Sequence, residues 1–124
     1  MKVSKKVKPA INFNSTIVKA IQEKKGEDIV ILDLRKIEDS VCDYFIICHA
    51  DSNIQVRAIA DEVTYFVKEK KKERPWHKEG YQTLEWVLLD YVDVVVHIFN
   101  KERRSFYDLE DLWSDAKIKS VKSA

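Results

Sequence analysis

The spacing of apolar residues along the chain predicts alternating helical and extended segments. Asn14 or Ser15 can cap a first helix, in which Ile17, Ala20 and Ile21 recur at helical spacing. Gly26 stands where that helix wants a C-terminal cap. Residues 29–34, Ile-Val-Ile-Leu-Asp-Leu, form a short, nearly all-apolar run rich in β-branched side chains, the pattern of a buried strand. Residues 44–48, Tyr-Phe-Ile-Ile-Cys, read as its neighbour. Ser52, with Gln55 three residues on, then makes a capping box. It opens a helix whose Val56, Ile59, Ala60, Val63, Phe66 and Val67 form one stripe, while Arg57, Asp61, Glu62 and Lys68 take the opposite face.

After Pro75, residues 76–79 predict a short strand and residues 80–83 a turn. Residues 85–99 predict a hairpin turning at Tyr91-Val92, between Asp90 and Asp93. A two-residue turn there sets Leu89 opposite Val94, Val87 opposite Val96 and Trp86 opposite His97. Because strand side chains alternate, two faces separate. One holds Val87, Leu89, Val94, Val96 and Ile98 and belongs against a core. The other holds Trp86, Leu88, Asp90, Asp93, Val95 and His97, too apolar for a solvent face and too charged for a second core. Such a mixture on a rigid sheet has the character of a protein-binding surface. The alternative, that a terminal helix covers it and buries Trp86, stays open at this point. Two short aromatic-rich helical pieces follow, over 102–107 and 109–113. Phe106, Leu109 and Leu112 are expected on the sheet edge, and Trp113 either there or on the open surface. The pattern as a whole gives a single α/β domain, a mixed sheet of about five strands with helices packed on it.

Length and composition narrow the function classes. A chain of 124 residues is one domain's worth, with 45% hydrophobic and 35% charged residues. No apolar run approaches the roughly 20 residues of a membrane span, so no membrane partner is expected. The Lys-rich start has no apolar h-region, which points to a cytoplasmic protein. Basic and acidic residues nearly balance, 22 against 21, unlike a chain that binds nucleic acid chiefly through phosphates. Two basic clusters remain, Lys2/Lys5/Lys6/Lys8 and Lys68/Lys70/Lys71/Lys72/Arg74. Each reads either as a solvated segment or as an auxiliary contact with RNA.

Candidate chemistry is sparse. Gly26 and Gly80 are the only glycines, so no glycine-rich phosphate loop can form. Cys42 and Cys48 lie too far apart along a strand for a disulfide and lack the spacing of a zinc site. His49, His77 and His97 have no fixed carboxylate or nucleophile spacing. Asp90 and Asp93 straddle a turn, where Asp is favoured by backbone hydrogen bonding as well as by a metal. No catalytic residue, cofactor or metal site is therefore expected.

Several strings in order resemble the ribosomal silencing factors, or Iojap family. They are Asp43-Tyr-Phe-Ile-Ile-Cys48, Ser52-Asn-x-Gln55, Ala58-Ile-Ala-Asp61, residues 85–97 (Glu-Trp-Val-Leu-Leu-Asp-Tyr-Val-Asp-Val-Val-Val-His) and residues 104–113 (Arg-Ser-Phe-Tyr-Asp-Leu-Glu-Asp-Leu-Trp). The resemblance implies a nucleotidyltransferase-like topology without the catalytic motifs. It further implies a large-subunit ribosomal protein, number fourteen, as partner, and obstruction of small-subunit joining that represses translation under nutrient limitation. Carried over by position, the partner surface comprises Trp86, Tyr91, Asp93 and His97, with Glu79 and Gly80 nearby; Leu88 joins it from the hairpin face. One departure bears on this: Val92 stands where the family's turn has Gly, and a β-branched residue resists the positive φ of a primed turn. The resulting organisation is a flexible Lys-rich segment over 1–13, a silencing-factor domain over 14–118 and a flexible tail over 119–124. Three rival readings stay open: an RNA-binding ribosome-assembly module, a residual nucleotide-binding enzyme, and a homodimer formed off the ribosome through the same face.

Overall fold

In a computed structural model, residues 3–113 and 116–122 are described, and among them the side chains from Phe13 onward other than those of Phe106, Tyr107, Glu110 and Leu112. The expectations for Phe106 and Leu112, and for the first lysine cluster, lie outside these. In chain order come α1 (Val3–Glu23), β1 (Glu27–Asp33), β2 (Tyr44–Ala50), α2 (Asn53–Lys71), β3 (His77–Glu79), β4 (Trp86–Asp90), β5 (Val94–Asn100), α3 (Lys101–Tyr107), α4 (Leu109–Leu112) and β6 (Lys117–Val121). The strands make one sheet in the order β3-β4-β5-β2-β1-β6. Its central pair, β2 and β5, is parallel and every other pair antiparallel.

The sheet buries both faces, which is why β2 is buried at every position and apolar over residues 44–48. On one face, Ile17, Ala20 and Ile21 of α1 and Val56, Ile59, Ala60, Val63 and Val67 of α2 pack on Ile29, Ile46, Val87, Leu89, Val96 and Ile98. On the other, Leu109, Ala116 and the half-buried Trp113 pack on Leu32, Phe45, Ile47, Val95 and Phe99. The edge of Trp113 meets the ring of Phe45 at 5.7 Å.

The mixed sheet of about five strands is as expected, with a sixth because residues 117–121, where the sequence suggests a tail from 119, pair with the outer edge of β1. Three expectations are corrected. The first helix does not begin at Asn14 or Ser15: α1 starts at Val3, and Asn14 is buried within it. The capping box at α2 is only half formed. Ser52 Oγ accepts from the Gln55 amide, but the Gln55 side chain donates to the carbonyls of Lys24 and Lys25, tying α2 to the end of α1. At that end the left-handed residue is Lys25 (φ 63°), not Gly26. Gly26 donates to the Ile21 carbonyl at 2.9 Å, closing a Schellman motif. A Cβ there would lie 2.3 Å from Ile21 Cγ2, so it is the lack of room that calls for glycine.

Candidate functional site

The hairpin of β4 and β5 carries the residues the sequence singles out. Its turn lies one residue further on than expected. Tyr91 N donates to Val94 O at 2.8 Å, leaving Val92 and Asp93 as the turn, and Asp93 N donates to Tyr91 O at 2.9 Å around Val92. Val92 does take a positive φ, 76°, despite its branched side chain. The carboxylate of Asp90 holds it there, accepting from Val92 N at 2.8 Å. The pairing is thus Trp86 with Phe99, Val87 with Ile98, Leu88 with His97 and Leu89 with Val96. Each residue's partner moves by two, so the division into faces survives while the pairing of Trp86 with His97 does not.

Trp86 and His97 meet diagonally instead. The indole Nε1 donates to His97 Nδ1 at 3.0 Å, and the Trp86 ring stacks on Phe99 at 5.0 Å. Since an indole can only donate, Nδ1 is unprotonated and the neutral ring carries its proton on Nε2. That Nε2 is buried, with no hydrogen-bond partner among the described residues. Burial alone pushes the His97 pKa down to about 3, so the ring stays neutral near pH 7. Through its hydrogen bond His97 orients the Trp86 ring.

The sequence-derived set divides in space. Trp86 and Leu88 are half-buried on the face away from α1 and α2. Glu79, exposed on β3, pairs with Leu88 and so lies on that same face, where it bonds His77 Nε2 at 2.6 Å. Gly80, at φ 93°, lets the turn pass under Trp86; a Cβ there would fall 1.9 Å from the Trp86 carbonyl oxygen. Asp93 is exposed at the turn. Tyr91 and His97 are corrections to the contact list, because both side chains are buried. Tyr91 sits on the opposite face, its ring 5.1 Å from Phe13. His97 lies under the layer formed by Phe45 and Trp86. The terminal elements cover much of the second face, yet leave the Trp86–Leu88–Glu79 edge partly open.

Sequence reasoning missed a buried polar chain. Arg104 Nη1 donates to the Asp28 carbonyl at 2.6 Å and to His49 Nδ1 at 3.1 Å, and His49 Nε2 lies 3.3 Å from a Glu27 carboxylate oxygen. Burial and the neighbouring Arg104 hold the His49 pKa down. Arg104 thereby pins α3 across β1 and β2. Both cysteines are free and buried, and burial pushes each thiol up to about 12, as expected of inert core residues. Among the described residues no cluster of His, Cys, Asp or Glu could hold a metal ion, and no helix is long and apolar enough to cross a membrane.

Residues 7–124 match the family model described as "Ribosomal silencing factor during starvation". The chain belongs to this family. The Ribosomal silencing factor RsfS of Halalkalibacterium halodurans is 44% identical over 99 residues, 80% of this chain and 83% of that protein. The Bacillus subtilis protein of that name is 46% identical over 101 residues, 78% of this chain and 80% of it. The chloroplastic Iojap protein of Zea mays is 35% identical over 106 residues. Among solved structures, a Bacillus halodurans protein superposes with a TM-score of 0.75 at 39% identity, covering 90% of this chain and 97% of that one. A Chromobacterium violaceum protein does so at 0.78 and 35%, covering 91% and 92%. Membership carries a role in ribosome silencing and a ribosomal partner; the family is named for regulation, not for a reaction.

Proposed function

We propose that this silencing-factor family member docks on the large ribosomal subunit through ribosomal protein fourteen and sterically blocks the small subunit. Translation is then repressed when nutrients are limiting. The observation that carries this reading is Trp86. It is a large apolar ring, half-buried on a rigid sheet face and fixed by its hydrogen bond to His97, with Leu88 and the exposed Glu79 beside it. A pre-oriented aromatic surrounded by polar groups is the usual anchor of a protein interface, because little side-chain entropy is lost on binding. Gly80 supports the arrangement by letting β3 lie close to Trp86, and Asp93 extends the surface at the turn. Tyr91 and His97 act from within, holding the hairpin and the indole.

Co-sedimentation of the full chain with purified large subunits tests the reading. Trp86→Ala is expected to weaken binding by about 2 kcal/mol or more, roughly thirtyfold, with the fold checked by circular dichroism. Small subunits added afterwards should join only where the wild-type chain is absent. A loss below about 0.5 kcal/mol removes Trp86 from the anchor role. Lys68, Lys70, Lys72 and Arg74 are exposed at the end of α2 and favour a minor additional contact with ribosomal RNA. Such a contact weakens steeply with added salt. Self-association through the Trp86 face would compete with docking, and sedimentation velocity at micromolar concentration reads it out.

A further inference from the structure

One end of the sheet, where β2, β3 and β5 begin, concentrates exposed apolar side chains. Trp76 is 79% exposed, Val41 72% and Val92 58%, three of the most exposed large apolar residues among those described. The backbone holds their segments together: Trp76 N donates to Asp90 O at 2.7 Å, and Asp43 N to Asp93 O at 2.9 Å. Three carboxylates, Asp43, Asp90 and Asp93, stand in these same segments. Among the described residues none of the three has an ion-pair partner. Arg35, whose charge also interacts with that of Asp43, is held by Asp33 at 2.7 Å and lies over the Tyr44 ring.

Unpaired negative charge around exposed apolar groups selects its complement. A metal ion is not that complement, since no group of three ligands converges among the described residues. An RNA backbone or an anionic lipid surface would meet the three carboxylates with like charge, and finds its own complement in the exposed Lys72 and Arg74, the segment just before Trp76. An arginine-bearing protein segment satisfies all the groups at once, its guanidinium stacking on the Trp76 indole and bonding a carboxylate while its apolar residues cover Val41 and Val92.

We propose that this end of the sheet is a second docking surface, which takes a basic, apolar-bearing segment of a protein partner with Trp76 as its anchor. It deepens the docking reading above and rests on it, but is centred on Trp76 instead of Trp86. Asp93 is common to the sequence-derived contact set, and Asp90 lies on the same hairpin face as Trp86 and Leu88.

The experiment compares the wild-type chain, Trp76→Ala, the double variant Asp43→Asn/Asp93→Asn, and Trp86→Ala for binding to purified large ribosomal subunits at two salt concentrations. Trp76 and Asp93 are exposed and Asn is isosteric with Asp, so these variants keep the fold. Trp76→Ala and the double variant are each expected to weaken binding about tenfold, with the gap between the double variant and wild type narrowing at higher salt. Binding within about twofold of wild type for both, while Trp86→Ala still loses, leaves the docking reading standing and overturns this surface. Tighter binding by the double variant means that RNA faces this end, and overturns it as well. A wild-type chain that does not bind at all removes the docking reading and this proposal together.

Discussion

His97 shows how much one residue's surroundings decide. Fully hydrated, it would titrate in the middle of the physiological range; under Phe45 and Trp86 it is held neutral, with a folded pKa near 3. A depressed pKa means that the unfolded chain takes up the proton first as pH falls. The stability contributed by the neutral ring is therefore whole above about pH 6.5 and lost progressively toward pH 3. Between pH 7 and pH 5 the loss is up to about 2 kcal/mol. His49, lowered for the same reason, adds in the same direction. Urea titrations across this range should show the fall, and His97→Gln, which cannot take the proton, should flatten much of it. Val92 carries a strain of the opposite kind. A β-branched residue at φ 76° stores about 1–3 kcal/mol. Val92→Gly relieves that strain but adds about 0.5–1 kcal/mol of unfolded-state freedom. The net expectation is a gain of up to about 2 kcal/mol, seen as a higher urea midpoint at unchanged slope.

At the scale of elements, the two helices on the first face are joined by a side chain and not by packing alone. The Gln55 amide group bonds two orphan carbonyls at the end of α1. Gln55→Ala should cost about 1 kcal/mol and increase amide exchange at residues 22–26 more than along the middle of α2. That link was not legible, because Ser52-x-x-Gln55 spells a capping box and nothing local reveals that a second helix end lies within reach. What was legible follows from period: the α2 stripe, the β1 and β2 runs and the two faces of the hairpin, since each repeats at the spacing of its own backbone. The candidate site was legible to the same depth. Alternation assigned Trp86 and Leu88 to one face, but the hairpin's register and the burial of His97 and Tyr91 depend on a turn conformation and on terminal elements packed from far along the chain. Strand β6 escaped altogether. Lys117, Ile118, Lys119 and Ser120 are all exposed, so no alternation marks them, and only backbone pairing with β1 makes them a strand.

For the molecule as a whole, β6 guards an edge. Truncation after Ala116 leaves the outer edge of β1, an apolar strand, with unpaired amides and carbonyls. The truncated chain is expected to melt at a lower temperature and to aggregate on concentration, read by calorimetry and light scattering. In the full chain, Lys117 and Lys119 make β6 a poor template for further strands. The same pairing also imposes a timetable on synthesis. Residues 117–121 emerge about ninety residues after β1 begins, a delay on the order of five to twenty seconds at ordinary elongation rates. Through that interval the nascent sheet can assemble its core strands yet keeps an adhesive flank, so chaperone dependence should be greatest for chains paused just short of β6.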